Sequence, residues 1–259
     1  MSRGRLSIVV PCYNEVIRIP RFEESWKAFL ASSMSRLQKD FSQIEVIFVN
    51  DGSKDETLTA LQSLAPRLAS SYVSPFVLSL PQNQGKGAAV QKGLQESHGD
   101  WILMTDVDLS SPLEEIFKLL QFSEDIVFGS RAVAESDIQV SQGGLRPLLG
   151  RAFNLYSRIM SGLPYKDTQC GFKLMRGNLA REIAGELTEK RFAFDIELLM
   201  LARQRGATMR EVGVVWRHQE PSRVEPLKDG LRMLVKVTEL ALRRLPWNGV
   251  SKGQSPRRS

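Results

Sequence analysis

Asp106-Val107-Asp108 follows the apolar run Trp101-Ile102-Leu103-Met104. Along a strand, side chains i and i+2 share a face. Two carboxylates are therefore expected to project together from a strand end, where open α/β sheets take their ligands. Such a pair suits a hard divalent cation with oxygen ligands, Mg²⁺ or Mn²⁺, bridging to phosphate oxygens. Taken alone, an Asp-x-Asp triplet is ordinarily a pair of solvated loop acids. Here four further motifs accompany it.

Val10-Pro11-Cys12-Tyr13-Asn14-Glu15 closes the first apolar run, and an aromatic with a carboxylate at a strand end can stack on and hydrogen-bond a nucleobase. Asn50-Asp51-Gly52-Ser53 closes the second, where Asp51 could bond a ribose hydroxyl or base nitrogen. The plainer alternatives are that Pro11 ends a strand and that Asp51-Gly52 is a turn with Ser53 or Asp55 capping a helix. Asn83-Gln84-Gly85-Lys86-Gly87-Ala88-Ala89 opens a helix. Glycines let backbone N–H groups approach an anion, and a helix N-terminus favours one. The GxxxxGK[ST] spacing of a Walker A loop is absent. Gly129-Ser130-Arg131 ends a later apolar run.

These motifs need a scaffold that carries them to one edge. Leu6–Val10, Ile44–Val49, Phe76–Leu80, Trp101–Thr105 and Ile126–Phe128 have the apolar, largely β-branched character of buried parallel strands. Helical stretches over 20–38, 55–69, 87–97 and 112–121 alternate with them, which argues a mostly parallel sheet with helices on both faces. Residues 134–144 are expected as a mobile loop, 148–160 and 195–205 as helices, and 172–175 and 211–216 as strands. The fold class is α/β: a single Rossmann-like nucleotide-binding domain over residues 1–226, then a basic amphipathic helix and disordered tail over 227–259.

The 259 residues allow one such domain with a substantial core. No run approaches 18 apolar residues, and no signal-like apolar segment follows Met1, so neither a spanning helix nor a leader is expected. Two cysteines, Cys12 and Cys170, fit a reducing cytosol. Two histidines, His98 and His218, exclude a multi-histidine zinc site. The net charge of +6 sits wholly in residues 227–259, which hold eight basic and two acidic residues. On a helical wheel over 227–245, Lys228, Arg232, Lys236 and Arg243 share one side. Leu231, Leu234, Val235, Leu242 and Leu245 fill a broad apolar arc. That pattern suits either an interfacial helix on an anionic membrane or a helix docked on the core with a solvated face. Nucleic acid is not the expected partner, because the tail lacks aromatics spaced for base stacking.

Pro11-x-Tyr13-Asn14-Glu15, Asn50-Asp51-Gly52-Ser53, Asn83-x-Gly85-Lys86-Gly87 and Asp106-x-Asp108, in this order, resemble the family 2 glycosyltransferases of GT-A fold over about residues 6–226. Asp167-Thr168-Gln169-Cys170-Gly171-Phe172-Lys173, Phe192-Ala193-Phe194-Asp195-Ile196-Glu197-Leu198 and Glu211–Trp216 with Ser222-Arg223-Val224 are similar to the dolichyl-phosphate β-glucosyltransferases within it. The chain departs from that subgroup at His218-Gln219-Glu220-Pro221 and in having Arg223 where lysine is common. The resemblance implies that Pro11, Tyr13 and Glu15 surround the donor's base and that Asn50 and Asp51 line the nucleotide site. Gly85 and Lys86 would meet its phosphate or ribose, and Asp106 and Asp108 would hold the metal and pyrophosphate. Arg131, Arg151 and Arg223 would hold phosphates of donor or acceptor. Cys170 is expected as a packed residue, Glu197 as a helix-start acid, and Arg146 and Arg158 as solvated.

The implied reaction attacks and inverts the anomeric carbon of a nucleoside-diphosphate sugar, UDP-glucose by the resemblance, with GDP-mannose as the alternative. Charge building on the leaving diphosphate would be stabilised by the metal with Arg and Lys. A polyprenyl-phosphate acceptor is already largely ionised near neutral pH, with a second pKa of roughly 6, and needs no strong base. A hydroxyl acceptor would need one, and Asp195 is the residue for it. A lipid acceptor would place the enzyme peripherally on the cytoplasmic face of a membrane.

Overall fold

The computed structural model describes residues 3–138, 146–217 and 226–244. In chain order the elements are β1 (Arg5–Cys12), α1 (Ile19–Asp40), β2 (Gln43–Asn50), α2 (Thr57–Leu68), β3 (Val73–Ser79), α3 (Lys86–Gln95) and β4 (Trp101–Met104). A 3₁₀ turn at Leu113–Glu115 leads into the one-turn α4 (Ile116–Leu119), followed by β5 (Ile126–Ser130), β6 (Asp137–Ile138) and α5 (Arg146–Ser161). The remainder is β7 (Lys173–Arg176), α6 (Gly177–Glu186), α7 (Phe194–Gln204), β8 (Met209–Gly213), β9 (Val215–Trp216) and α8 (Pro226–Arg244).

Seven strands form one sheet in the order β3-β2-β1-β4-β7-β5-β8, and β6 pairs with β9 apart from it. The period-2 alternation explains the three layers. Ile8 and Val10 of β1, Val46 and Phe48 of β2, and Leu103 of β4 enter one apolar cluster, packed against Phe22, Trp26, Phe29 and Leu61. Their neighbours Val9, Ile47, Val49, Ile102 and Met104 enter the other, packed against Val90, Ile183, Leu198 and Leu199. A strand apolar on both faces must be covered on both, so α1 and α2 lie on one side and α3, α6 and α7 on the other.

β2 and β4 flank β1, so the strand order reverses there, and the crevice beyond the carboxyl ends of β1 and β4 is the topological switch point. Pro11 sits in β1 beyond its last pairing with β4, Val9↔Met104, so its missing N–H leaves no β4 partner empty.

Several expectations need correction. β7 runs antiparallel to both neighbours, because the chain re-enters the sheet between β4 and β5 from the opposite edge. Residues 137–138, expected in a loop, pair in parallel with β9, and the expected strand 211–216 is two strands broken at Val214. The helix expected over 112–121 is a 3₁₀ turn and a single α turn. The helix α6 has no counterpart in the sequence reading. Arg223, His218–Pro221 and the tail from 245 lie outside the described residues, as do the side chains of Arg146 and Arg151.

The basic C-terminal helix docks on the domain. Val237, Leu240 and Ala241 of α8 are buried in the second apolar cluster or beside it. Tyr156 of α5 bonds Thr238 Oγ1 and donates to the Leu234 carbonyl at 3.4 Å.

Candidate active site

The carboxylate pair forms by a different route from the one expected. β4 ends at Met104, so strand alternation does not bring Asp106 and Asp108 together. A tight turn does. Leu109 N–H donates to the Asp106 carbonyl at 3.1 Å, Leu109 takes φ 48°, and Ser110 N–H donates to Asp108 Oδ1 at 2.9 Å. Burial and then the neighbouring Asp106 charge push the Asp108 carboxyl up, partly offset by the Ser110 N–H and Arg18. Two like charges at one site, one of them poorly solvated, form an arrangement that a divalent cation would relieve.

Lys86, the first residue of α3, already answers part of that charge. Its Nζ lies 2.5 Å from Asp106 Oδ1, with about a quarter of the side chain exposed. Burial pulls its ammonium down, but Asp106, then Asp195, outweigh this and hold it above the ordinary lysine range.

The glycine-rich segment before α3 is first of all held by protein contacts of its own. Asp51 Oδ1 accepts from Gln84 N–H at 2.8 Å, and its Oδ2 accepts from Gly85 N–H and Asn83 Nδ2, each at 2.8 Å. Ala88 N–H donates to the carbonyls of Gly85 and Lys190. These donors are satisfied by protein. Gly85 has φ 108° and, like Gly87, lies where a Cβ would strike the backbone of residues 189–191. Both glycines therefore serve chain-to-chain packing, and that packing places Lys86. Asp51 is 2% exposed, pushed up by burial against the opposing pull of those N–H bonds, and it organises this loop. Asn50, also 2% exposed, donates to Ser79 Oγ and accepts from Ser53 N–H.

The β1 loop is tied to the β2 loop: Asn14 N–H meets Ser53 Oγ, Lys54 N–H meets Asn14 Oδ1, and Glu15 N–H meets Thr57 Oγ1. Pro11 is buried and Tyr13 half-buried at this edge. Glu15 pairs with Arg18 at 2.8 Å, and Arg18, like Lys86, is a cation that acts on Asp108. Arg18 had no signal in the sequence, since Ile17 and Ile19 flank it without a motif.

On the other wall, Arg131 at the end of β5 forms a bidentate pair with Asp167: Nε to Oδ2 at 2.7 Å and Nη2 to Oδ1 at 2.8 Å. Its guanidinium also stands 5.7 Å from the Trp216 ring centroid. Asp167 is 1% exposed, and despite burial Arg131 holds its carboxyl below the usual range. Arg131, expected on a phosphate, is first of all a clamp on the segment leading to Gly171. That glycine backs Asp106: a Cβ there would lie 3.1 Å from Asp106 Cγ and nearer still to Oδ2.

Asp195 lies at the start of α7 and is buried against Lys173, whose Nζ is 2.5 Å from Asp195 Oδ1. Lys173 has no counterpart among the expected site residues, although a lysine in a buried apolar strand, Phe172-Lys173-Leu174-Met175, was itself a signal, since such a charge must be paired. Glu197, fully buried, accepts from Thr188 N–H, Thr188 Oγ1 and Glu189 N–H, so it shapes the loop that packs on Gly85 and Gly87. Cys170 is buried, with burial pushing its thiol up to about 11, as a packed rather than nucleophilic residue would be. Among the described residues no group of three or more His, Cys, Asp or Glu side chains could hold a metal.

A crevice at the switch point, with paired acids and a lysine at its floor, has the form of a GT-A glycosyltransferase site. Residues 7–184 match the profile of Glycosyl transferase family 2, and the chain belongs to that family. It is 34% identical over 248 residues to the dolichyl-phosphate beta-glucosyltransferase of Dictyostelium discoideum, covering 93% of this chain and 75% of the relative. It is 33% identical over 238 residues to the dolichyl-phosphate beta-glucosyltransferase of Homo sapiens, covering 88% and 72%. Its fold is similar to that of glucosyl-3-phosphoglycerate synthase from Mycobacterium tuberculosis, solved with Mn²⁺, UDP-glucose and phosphoglyceric acid. That match has a TM-score of 0.59 and 20% identity, over 96% of this chain and 83% of the other. The protein is a glycosyltransferase.

Proposed function

We propose that the chain transfers glucose, with inversion, from UDP-glucose to a polyprenyl or dolichyl phosphate at a membrane surface. The observation that supports this most directly is the Asp106–Asp108 turn with Lys86 on it, at the switch point of a chain one-third identical over most of its length to dolichyl-phosphate beta-glucosyltransferases. Asp106 and Asp108 would hold Mg²⁺ or Mn²⁺. Two carboxylates at the floor of the crevice would suit a hard cation that takes its other oxygens from donor and water. When bound, the cation would supply charge neutralisation for the leaving diphosphate.

Lys86 is placed to meet that diphosphate from the same side, and Arg18 stands behind Asp108. Tyr13 and Glu15 form the rim nearest the nucleotide base. Asp51 and Asn50 act through the loops they hold. Arg131, and Arg223 beyond the described residues, are the cations proposed for the acceptor phosphate.

The apolar surface supports membrane attachment. Leu231, Val235 and Leu242 of α8 and Leu155 and Ile159 of α5 are between 57% and 70% exposed. They flank the Tyr156–Thr238 contact, so both helices offer an outward apolar face, beside the exposed Arg232. Lys236 and Arg243, expected to face an anionic surface, pair with Glu239 within the helix, so attachment would rest more on these apolar side chains than on charge. Among the described residues no helix is long and apolar enough to cross a membrane.

The test is purified protein with Mn²⁺ or Mg²⁺, a short polyprenyl phosphate, and labelled UDP-glucose or GDP-mannose in parallel. Metal-dependent label in the lipid phase from UDP-glucose supports the reading. Label only from GDP-mannose overturns the sugar, and no lipid product with either overturns the acceptor.

A further inference from the structure

Lys173 is a full positive charge with no access to solvent. It sits on β7 between Met104 of β4 and Phe128 of β5, directly under the turn that carries Asp106. Its Nζ donates to two acceptors, Asp195 Oδ1 and the Cys170 carbonyl, each at 2.5 Å. An ion so placed is tolerable only when fully partnered. Its two partners lead to the two sides of the site. The Cys170 carbonyl belongs to the peptide that continues into Gly171, whose α-carbon backs the Asp106 carboxylate. Asp195 heads α7, 4% exposed; burial pushes its carboxyl up, Lys173 and then Lys86 from α3 pull it back, Asp106 from the β4 turn adds to the rise, and Arg131 from the end of β5 also feels its charge.

A proton acceptor for an incoming hydroxyl must turn a lone pair toward the substrate. Asp195 instead turns its Oδ1 inward to a buried ammonium, and the positive end of α7 lies behind the carboxylate. We infer that Lys173 is a positioning residue that commits Asp195 as a fixed counter-ion and pins the Cys170–Gly171 peptide behind Asp106, so that Asp195 accepts no proton and the acceptor must arrive already ionised. Lys86 then stays with Asp106 and the donor side, since Asp195 is already answered. This deepens the proposed lipid-phosphate reading and rests on it for the identity of the acceptor. The pairing itself does not depend on that reading.

The experiment uses the full chain with Lys173→Met, Lys173→Arg, Asp195→Asn and the double Lys173→Met/Asp195→Leu, followed by Tm and by transfer to a short polyprenyl phosphate across pH. Removing one member of a buried pair strands the other, so Lys173→Met should lower Tm by roughly 10 °C, and the double variant should recover most of it. Lys173→Arg should keep most of the Tm and the rate. Asp195→Asn should lose Tm, with kcat down less than about tenfold, well short of the roughly 10²–10⁴-fold contribution of a general base. In Lys173→Met the acidic limb of kcat against pH should stay in place, whereas a base deprived of its cation would titrate higher and move the limb up.

A loss of more than about a hundredfold in Asp195→Asn at unchanged Tm, or a shifted limb in Lys173→Met, would show Asp195 to be the base and overturn the inference. A double variant no more stable than Lys173→Met would overturn the pairing. A wild type that makes no lipid product overturns the acceptor reading alone, because the Tm comparison still judges Lys173.

Discussion

Replacing Gly171 with alanine tests whether the floor beneath the carboxylate pair is functional or merely packed. The φ of Gly171 is not in the left-handed region, so alanine meets no backbone penalty there. The three nearest atoms an added Cβ would meet at this position all belong to the Asp106 carboxyl, with Cγ at 3.1 Å and Oδ2 nearer. Ordinary carbon contacts lie at about 3.5–4.0 Å, so the carboxylate must retreat by roughly 1 Å at its tip. The collision is with the free end of a side chain that is about one-third exposed, so the fold can absorb it. The site cannot, because a misplacement of about 1 Å near the reacting groups can lower rate about a hundredfold. Gly171→Ala should therefore keep Tm within a few degrees while kcat/KM for glycosyl transfer falls by roughly 10²-fold and half-saturation by Mn²⁺ moves to higher concentration. Gly185→Ala is the matched control, since nothing lies within 4 Å of an added Cβ there. Wild-type kcat/KM and metal dependence in Gly171→Ala, with its folding confirmed, would refute the placement of Asp106 argued above.

Asp51→Ala strands the backbone N–H groups of Gln84 and Gly85, at about 1–3 kcal/mol for a buried donor left unpaired, and returns the exposed Asn83 amide to solvent. Thermal unfolding should register that loss, and KM for the donor should rise as the loop before Lys86 loosens; an unchanged Tm would remove Asp51 from the loop. Leu231→Glu with Val235→Glu and Leu242→Glu alters only exposed side chains. It should leave Tm near wild type and abolish cosedimentation with anionic vesicles, and retained binding would exclude this face. The lowered Asp167 carboxyl gives a stability term fully present above its unfolded pKa of about 3.9 and lost as pH falls through its lower folded value. The Tm difference between wild type and Asp167→Asn should accordingly be flat from about pH 5 to 8 and shrink below about pH 4; a difference independent of pH would show that Arg131 does not hold the carboxylate.

The motifs at Pro11, Asp51, Lys86 and Asp106 were legible because each sits where an apolar strand stops or a helix starts, and hydrophobic periodicity is a local property of the chain. The same periodicity gave two apolar faces to β1, β2 and β4, hence a covered sheet with its ligand edge at the strand ends. The jobs of individual residues were not legible in this way. Gly85 and Gly87 read as an anion cradle, and nothing local in the chain announces that they also pack on residues 189–191, about a hundred positions away. Asp106 and Asp108 converge through a turn at Leu109, not through strand alternation. Arg18 entered the site unannounced, and Lys173 was marked only by being a charge in an apolar strand.

The physical reason is the same in each case. Apolar burial is non-directional and follows from residue type at regular spacing, which the chain states openly. A buried charge or hydrogen bond is decided by which partner arrives at about 3 Å. For Lys173 that partner is Asp195, 22 positions along, and for Asp51 it is the backbone 33 and 34 positions along. Those meetings exist only once β7 has inserted antiparallel between β4 and β5, and α3 has closed on the loop before α7.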